Sequence, residues 1–201
     1  MAALNVRFCD EFDRGFGWIV DEFMERCSHA LVVDGRVWLV DPVDGDGVEE
    51  RVRAAGEPAG VLQLLDRHNR DGAALARRFG VEHNVLPRAP IPPFEFVPIA
   101  RNEVLLWWPD ERLIVGADVL GTARYYRAAK DRLAVHPLRR LFPPRRQLGG
   151  VSPTKILCGH GPGIHQDAET ALREALSTSR RRIPGQLAGA VRSWRASRRP
   201  S

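Results

Sequence analysis

Cysteine is scarce in this chain of 201 residues: Cys9, Cys27 and Cys158 are all there are, and no two of them form a CxxC pair. An odd number at that spacing argues against a disulfide framework and against a structural zinc knuckle. A long apolar run is missing too, since no stretch approaches the roughly 18 residues of a membrane-crossing helix. Asp10, Glu11 and Asp13 stand where a secretory leader would carry its apolar segment, so a reducing cytoplasm is the expected compartment. Acids are absent from the last stretch. Ser179 to Ser201 holds seven arginines and no Asp or Glu, so the net charge of +5 leaves residues 1 to 178 at −2. The basic character therefore belongs to the tail, and the body carries no nucleic-acid-binding motif.

What is present suits a single soluble domain. A 44% hydrophobic and 27% charged composition supplies a core and excludes disorder throughout. We expect one domain over residues 1 to 178 and a basic tail over 179 to 201. In the tail Leu187, Val191 and Trp194 recur at i, i+4 and i+7, which gives a short helix one apolar face. Docking is the expected use of that helix; binding nucleic acid or anionic lipid through its arginines is the alternative.

Along the body, the aromatic residues Phe8, Phe12, Phe16, Trp18 and Phe23 predict an N-terminal strand or hairpin that lends rings to a core. Ala30 to Asp34 and Arg36 to Val40 flank Asp34-Gly35, a hairpin turn signal, and Asp41-Pro42 ends the pairing. Val48 to Ala55 reads as a helix. Val61 to Leu65 is a buried strand running into a polar loop, and Ala73 to Phe79 is the next helix, closed by Gly80. Prolines 87, 90, 92, 93 and 98 predict an edge strand with a covering loop. Glu103 to Trp108 and Arg112 to Val115 flank a turn at Pro109-Asp110-Glu111, and Trp107 and Trp108 must face opposite ways. Thr122 to Leu133 reads as helical. Lys155 to Cys158 is a last strand, and a helix follows from an Asp167 N-cap to about Leu176.

Asp66 to Ala74, DRHNRDGAA, is the probable site, because a strand that spills into a loop of His, Asn, Asp and Arg before a helix is where α/β proteins place chemistry. This stretch resembles the HxHxDH metal loop of the metallo-β-lactamase superfamily. On that alignment Arg67 and Asn69 stand at the first two His positions, Asp71 keeps the Asp, and Gly72 replaces the last His, with His68 one place out of register. Arg67 and Gly72 cannot ligate a metal. Further on, Gly116-Ala117-Asp118 resembles the superfamily's strand end whose Asp bridges two metals, and Gly159-His160-Gly161 resembles the late loop whose His binds the second. Asp41 resembles an Asp that supports the loops. Arg101-Asn102 replaces a ligand-bearing Gly-His. The likeness runs from about Ala30 to Leu176.

The resemblance implies a four-layered αββα sandwich of two mixed sheets flanked by helices. It also implies a degenerate site with no dinuclear zinc centre, in which Arg67 neutralises Asp71 and Asp118. The expected role is binding a small acidic ligand through Arg67, His68, Asn69 and Asn102, aided by the glycines around His160. No metal is the favoured expectation. The alternative is a hydrolase of an ester, thioester or lactone with one zinc ion on Asp71, Asp118 and His160. A thiol and imidazole dyad of Cys158 and His160 is a further candidate.

Overall fold

The computed structural model describes residues 4–128, 130–185 and 187–188. The first sheet contains β1 (Val6–Phe12), β2 (Gly15–Val20), β3 (Cys27–Val33), β4 (Arg36–Val40), β5 (Glu57–Gln63) and β6 (His83–Val85), in that spatial order. Its first three pairings are antiparallel and its last two parallel, so it is mixed. The parallel pairings need crossovers, supplied by α1 (Val48–Ala55) and α2 (Gly72–Phe79). The second sheet has the order β12, β9, β8, β7, from β7 (Glu95–Ala100), β8 (Glu103–Trp108), β9 (Leu113–Gly116) and β12 (Lys155–Cys158). A two-residue hairpin, β10 (Leu120–Gly121) with β11 (Ala134–Val135), and the one-turn α3 (Arg145–Leu148) precede β12. The long α4 (Ala168–Thr178) follows it.

Side-chain alternation creates the layers. In β8, Val104, Leu106 and Trp108 point between the sheets, where they meet Leu31, Val40 and Leu62. Leu105 and Trp107 point the other way, toward Leu172 and Leu176 of α4. On the far side of the first sheet, Trp18, Val37, Leu39 and Val61 pack beneath Val48 and Val52 of α1 and Ala76 of α2. The result is the αββα sandwich with two mixed sheets. Trp108 sits under the proline segment, edge to face with Phe94 at 5.3 Å. β7, with Pro98, is an edge strand, where a missing donor is tolerated. No helix among the described residues is long and apolar enough to cross a membrane.

Two local expectations fail. Thr122 to Leu133 is not a helix, because its polar groups are engaged by distant partners. Thr122 and Ala123 donate their N–H groups to the His160 carbonyl, and Ala128 N–H donates to the Asp131 carboxylate. Tyr126 is buried and its hydroxyl donates to the Asp118 carbonyl. Asp167 does precede α4, but at φ 52° its side chain makes no capping bond. Val191 and Trp194 of the expected tail helix lie outside the described residues.

Candidate metal centre

Four loops at the carboxyl ends of β4, β5, β9 and β12 meet at one rim and deliver Asp41, His68, Asp118 and His160. Asp41 follows β4. Its Oδ1 accepts Leu64 N–H at 2.9 Å, and its Oδ2 faces His68 Nδ1 at 2.9 Å. The other nitrogen of that ring, Nε2, lies 3.0 Å from Asp118 Oδ1. His160 Nε2 reaches the same oxygen, also at 3.0 Å, while its Nδ1 stands 2.8 Å from the Met24 carbonyl. Arg67 donates to Asp118 Oδ2 at 2.5 Å.

His68 is the residue the sequence reading undervalued. Alternation along a strand would have turned it away from its neighbours' side, but β5 ends at Gln63 and a turn at Asp66 and Arg67 follows, closed by His68 N–H on the Leu65 carbonyl, so the alternation no longer applies. Asp71 goes the opposite way. Because α2 begins at Gly72, Asp71 is turned toward the preceding loop, where its carboxylate accepts Asp44 N–H at 2.8 Å. The expected convergence of Asp71 with Asp118 and His160, bridged by Arg67, does not form. Asn69 lines the cavity beside the cluster. Asn102 does not; it donates to Asp66 and supports the loop from below.

The other candidates resolve in the same way. Cys158 packs into the core beneath α4 and burial pushes its thiol pKa up, so it forms no dyad with His160. The glycines around His160 do not cradle an anion: Gly159, Gly161 and Gly163 donate to Gly116 O, Glu25 O and Asp10 Oδ1.

Glu103, unmarked in the sequence, organises the loop beneath Asp118. Fully buried at the start of β8, it accepts Asp118 N–H and Val119 N–H through Oε1, and pairs with Arg139 through Oε2 at 2.8 Å. Burial raises its pKa, against the pull of Arg139. Glu103→Ala strands two amides and a guanidinium, and we expect a loss of about 3 kcal/mol in denaturant unfolding. Glu103→Gln, which keeps an acceptor, should lose less than half of that. A loss under about 1 kcal/mol for the alanine variant would contradict this role.

Charge sets the protonation of the cluster. Burial opposes a charge on His68, but the Asp41 carboxylate and hydrogen bonds to Asp118 and Asp41 outweigh it, and its pKa is raised. Burial likewise opposes ionisation of Asp118 and Asp41. Imidazole hydrogen bonds at Asp118, and the charges of His68 and Arg70 at Asp41, nevertheless hold both carboxyls below the usual range. In metal-free protein the stability contributed by His68 is full below about pH 6.5 and is lost as pH rises through its folded pKa. That of the two carboxyls is present above about pH 3.9 and is lost as pH falls through theirs. Thermal unfolding in chelator should therefore weaken on the alkaline side, and His68→Gln should flatten that limb. An unchanged limb in the variant would refute the assignment.

Two imidazole Nε2 atoms and one carboxylate oxygen, all within 4.8 Å of one another, form a donor set that one divalent ion can bridge. Both rings have Nδ1 on a protein acceptor, the outer-shell arrangement that orients metal-binding histidines. The cluster opens into a cavity of about 250 Å³ lined also by Met24, Arg26 and Arg70.

An αββα sandwich with His and Asp gathered at the strand ends defines a class of fold, and comparison with solved structures identifies it. The DIM-1 metallo-β-lactamase superposes with a TM-score of 0.59 at 13% identity, over 88% of this chain and 98% of that one. Metallo-β-lactamase FIM-1 from Pseudomonas aeruginosa, in its mono-zinc form, gives 0.56 at 12% identity over 99% of each chain. The apo chemotaxis sensor ODP from T. denticola gives 0.54 at 12% identity, over 89% of this chain and 94% of that one. The chain has the metallo-β-lactamase fold. No protein-family profile matches it, and no curated protein matches it by sequence.

Proposed function

We propose that the protein is a single-metal hydrolase in which His68, Asp118 and His160 hold one divalent ion, acting on a small, negatively charged ester, thioester or lactone. The observation that carries this reading is the meeting of two imidazole Nε2 atoms on Asp118 Oδ1. A carbonyl only accepts, so His160 Nδ1, facing Met24 O, bears its proton, and Nε2 toward a carboxylate then needs a second. His68, between two carboxylates, has the same requirement. A divalent ion replaces both Nε2 protons without changing the charge of the cluster.

Such an ion supplies Lewis acidity at an acyl oxygen. The protein's own residues do the rest. Asp41 and the Met24 carbonyl fix the two rings, Arg26 and Arg67 at the rim favour an anionic substrate, and Asn69 offers an amide for orientation. FIM-1, which shares the fold, was solved in a mono-zinc form, and that supports a single-ion reading.

A second reading keeps the fold and gives up the ion: a non-catalytic binder of a small acidic ligand. The Arg67 bond to Asp118 favours it, since a guanidinium already faces the carboxylate. Elemental analysis after zinc loading and desalting separates the two. Wild type should retain one equivalent more than His160→Ala, and chelator should abolish hydrolysis across a panel of carboxylate-bearing esters, thioesters and lactones. Equal metal content in the two proteins would sink the hydrolase and leave the anion binder. Because the ion displaces protons, its affinity should fall about tenfold per proton displaced for each unit by which pH is lowered below the His68 pKa, which lies above the ordinary value of about 6.5.

A further inference from the structure

A second group of potential ligands lies on the first sheet and shares no residue with the His68, Asp118 and His160 cluster. Cys9 of β1 and Cys27 of β3 reach toward each other across β2, over Gly17, which pairs with Cys9 on one side and His29 on the other. Their sulfurs are 3.7 Å apart. Asp10 Oδ2 stands 3.5 Å from Cys9 Sγ and 3.8 Å from Cys27 Sγ. We propose that Cys9, Asp10 and Cys27 hold a metal ion of their own, zinc or another thiolate-seeking cation, that ties β1 to β3.

The distances carry this. Bonds of about 2.3 Å to sulfur and about 2.1 Å to a carboxylate oxygen, in tetrahedral array, separate two sulfurs by about 3.8 Å and sulfur from oxygen by about 3.6 Å. The three observed separations match that triangle. A disulfide fits less well. Two strand spacings place the backbones of β1 and β3 about 9.5 Å apart, beyond the roughly 7 Å that a disulfide spans.

The surroundings are those of a ligand carboxylate. The Asp10 side chain is 3% exposed, and its Oδ1 is fixed by Gly163 N–H at 2.7 Å and faces His165 Nε2 at 3.1 Å. That leaves Oδ2 facing two thiols, which are weak donors. His29 gives an independent sign. It is buried, its Nε2 is spent on the Cys158 carbonyl, and its Nδ1 has no hydrogen-bond partner among the described residues. That Nδ1 borders the space over Gly17: a Cβ built there would lie 3.0 Å from it and 3.3 Å from Asp10 Oδ2. A water in the fourth position would find in Nδ1 the acceptor it needs. Binding displaces the two thiol protons to solvent, so affinity rises with pH. The spacing of cysteines along the chain conceals this site, which only the strand pairing assembles.

Cobalt(II) tests it, because thiolate coordination gives a near-ultraviolet charge-transfer band that the sulfur-free His68, Asp118 and His160 set cannot produce. Full-length reduced protein, stripped with chelator, should develop the band to saturation within two equivalents, and at one equivalent in His160→Ala, and lose it to added zinc. Cys9→Ser should at least halve the band, Asp10→Asn should weaken cobalt binding tenfold or more, and Cys158→Ala and His160→Ala should leave the band in place. Zinc should also slow alkylation of Cys9 in the wild type at least tenfold, a measurement that needs no variant. Absence of the band, its persistence at more than half strength in Cys9→Ser, or a Cys9 to Cys27 disulfide as the resting state would each overturn the proposal.

Discussion

Asp118→Ala should be among the most damaging single substitutions in this protein, costing about 3–5 kcal/mol in the metal-free state and removing the His68 and His160 ion site outright. The carboxylate is the shared partner of two imidazoles and one guanidinium, and it is 7% exposed. Removing it leaves the two rings and the guanidinium facing one another, with Asp41 still on His68. Arg67 contributes little to this cost, because its side chain is 56% exposed and water screens it. The imidazoles carry the effect, and that gives it a pH signature. At pH 6 His68 is charged and the penalty is full; at a pH above its raised pKa the ring has lost its proton and the penalty shrinks. Urea unfolding in chelator at the two pH values measures the difference. A penalty that does not fall with rising pH would mean that Asp118 stabilises the loop in some other way, for instance through its backbone contacts to Glu103 and Tyr126.

The strand ends that deliver Asp41, Asp118 and His160 were legible in the sequence, because each closes an apolar run with the period of a buried strand and then meets Pro, Gly or Asp. The layers were legible for the same reason. From Val104 to Trp108, β8 is apolar because both its faces are covered, by the first sheet on one side and α4 on the other. What failed was orientation within loops. His68 and Asp71 are three residues apart, and nothing in their spacing tells that a turn carries one into the cluster while the first turn of α2 carries the other to Asp44. Partners distant in sequence were equally hidden. Glu103 reads as an ordinary first residue of a strand until the β9 loop folds over it, and the segment after Thr122 looks helical until its polar groups meet His160 and Asp131. Cys9 and Cys27 belong to the same category, since register across three strands is a tertiary fact.

Arg70 was overlooked for that reason too, and its removal should rival the loss of Asp118. Its Nη1 donates to the carbonyls of Cys27 at 2.6 Å and Asp41 at 2.9 Å, and its Nη2 donates to that of Gly159 at 3.0 Å. One guanidinium thus ties together the start of β3, the end of β4 and the end of β12, the backbone on which Asp41 and His160 are mounted. Burial lowers its pKa against the pull of Asp41 and Cys27, so the charge is held in place at a cost that the three carbonyls and the neighbouring carboxylate offset. Arg70→Met keeps the aliphatic stem, strands the Cys27 carbonyl, leaves those of Asp41 and Gly159 with only Ser28 Oγ and Cys27 N–H, and removes a buried charge from beside Asp41, for an expected loss of about 3 kcal/mol. Arg70→Lys restores the charge without the planar fork that spans separate carbonyls, and should recover less than half of that. Because the loss lies in the frame that holds the ligands, metal affinity should fall with stability in both variants, whereas an exposed control such as Arg77→Met should change neither. A methionine variant within about 1 kcal/mol of wild type, or one that keeps full metal affinity, would show that the loops hold their places without the guanidinium.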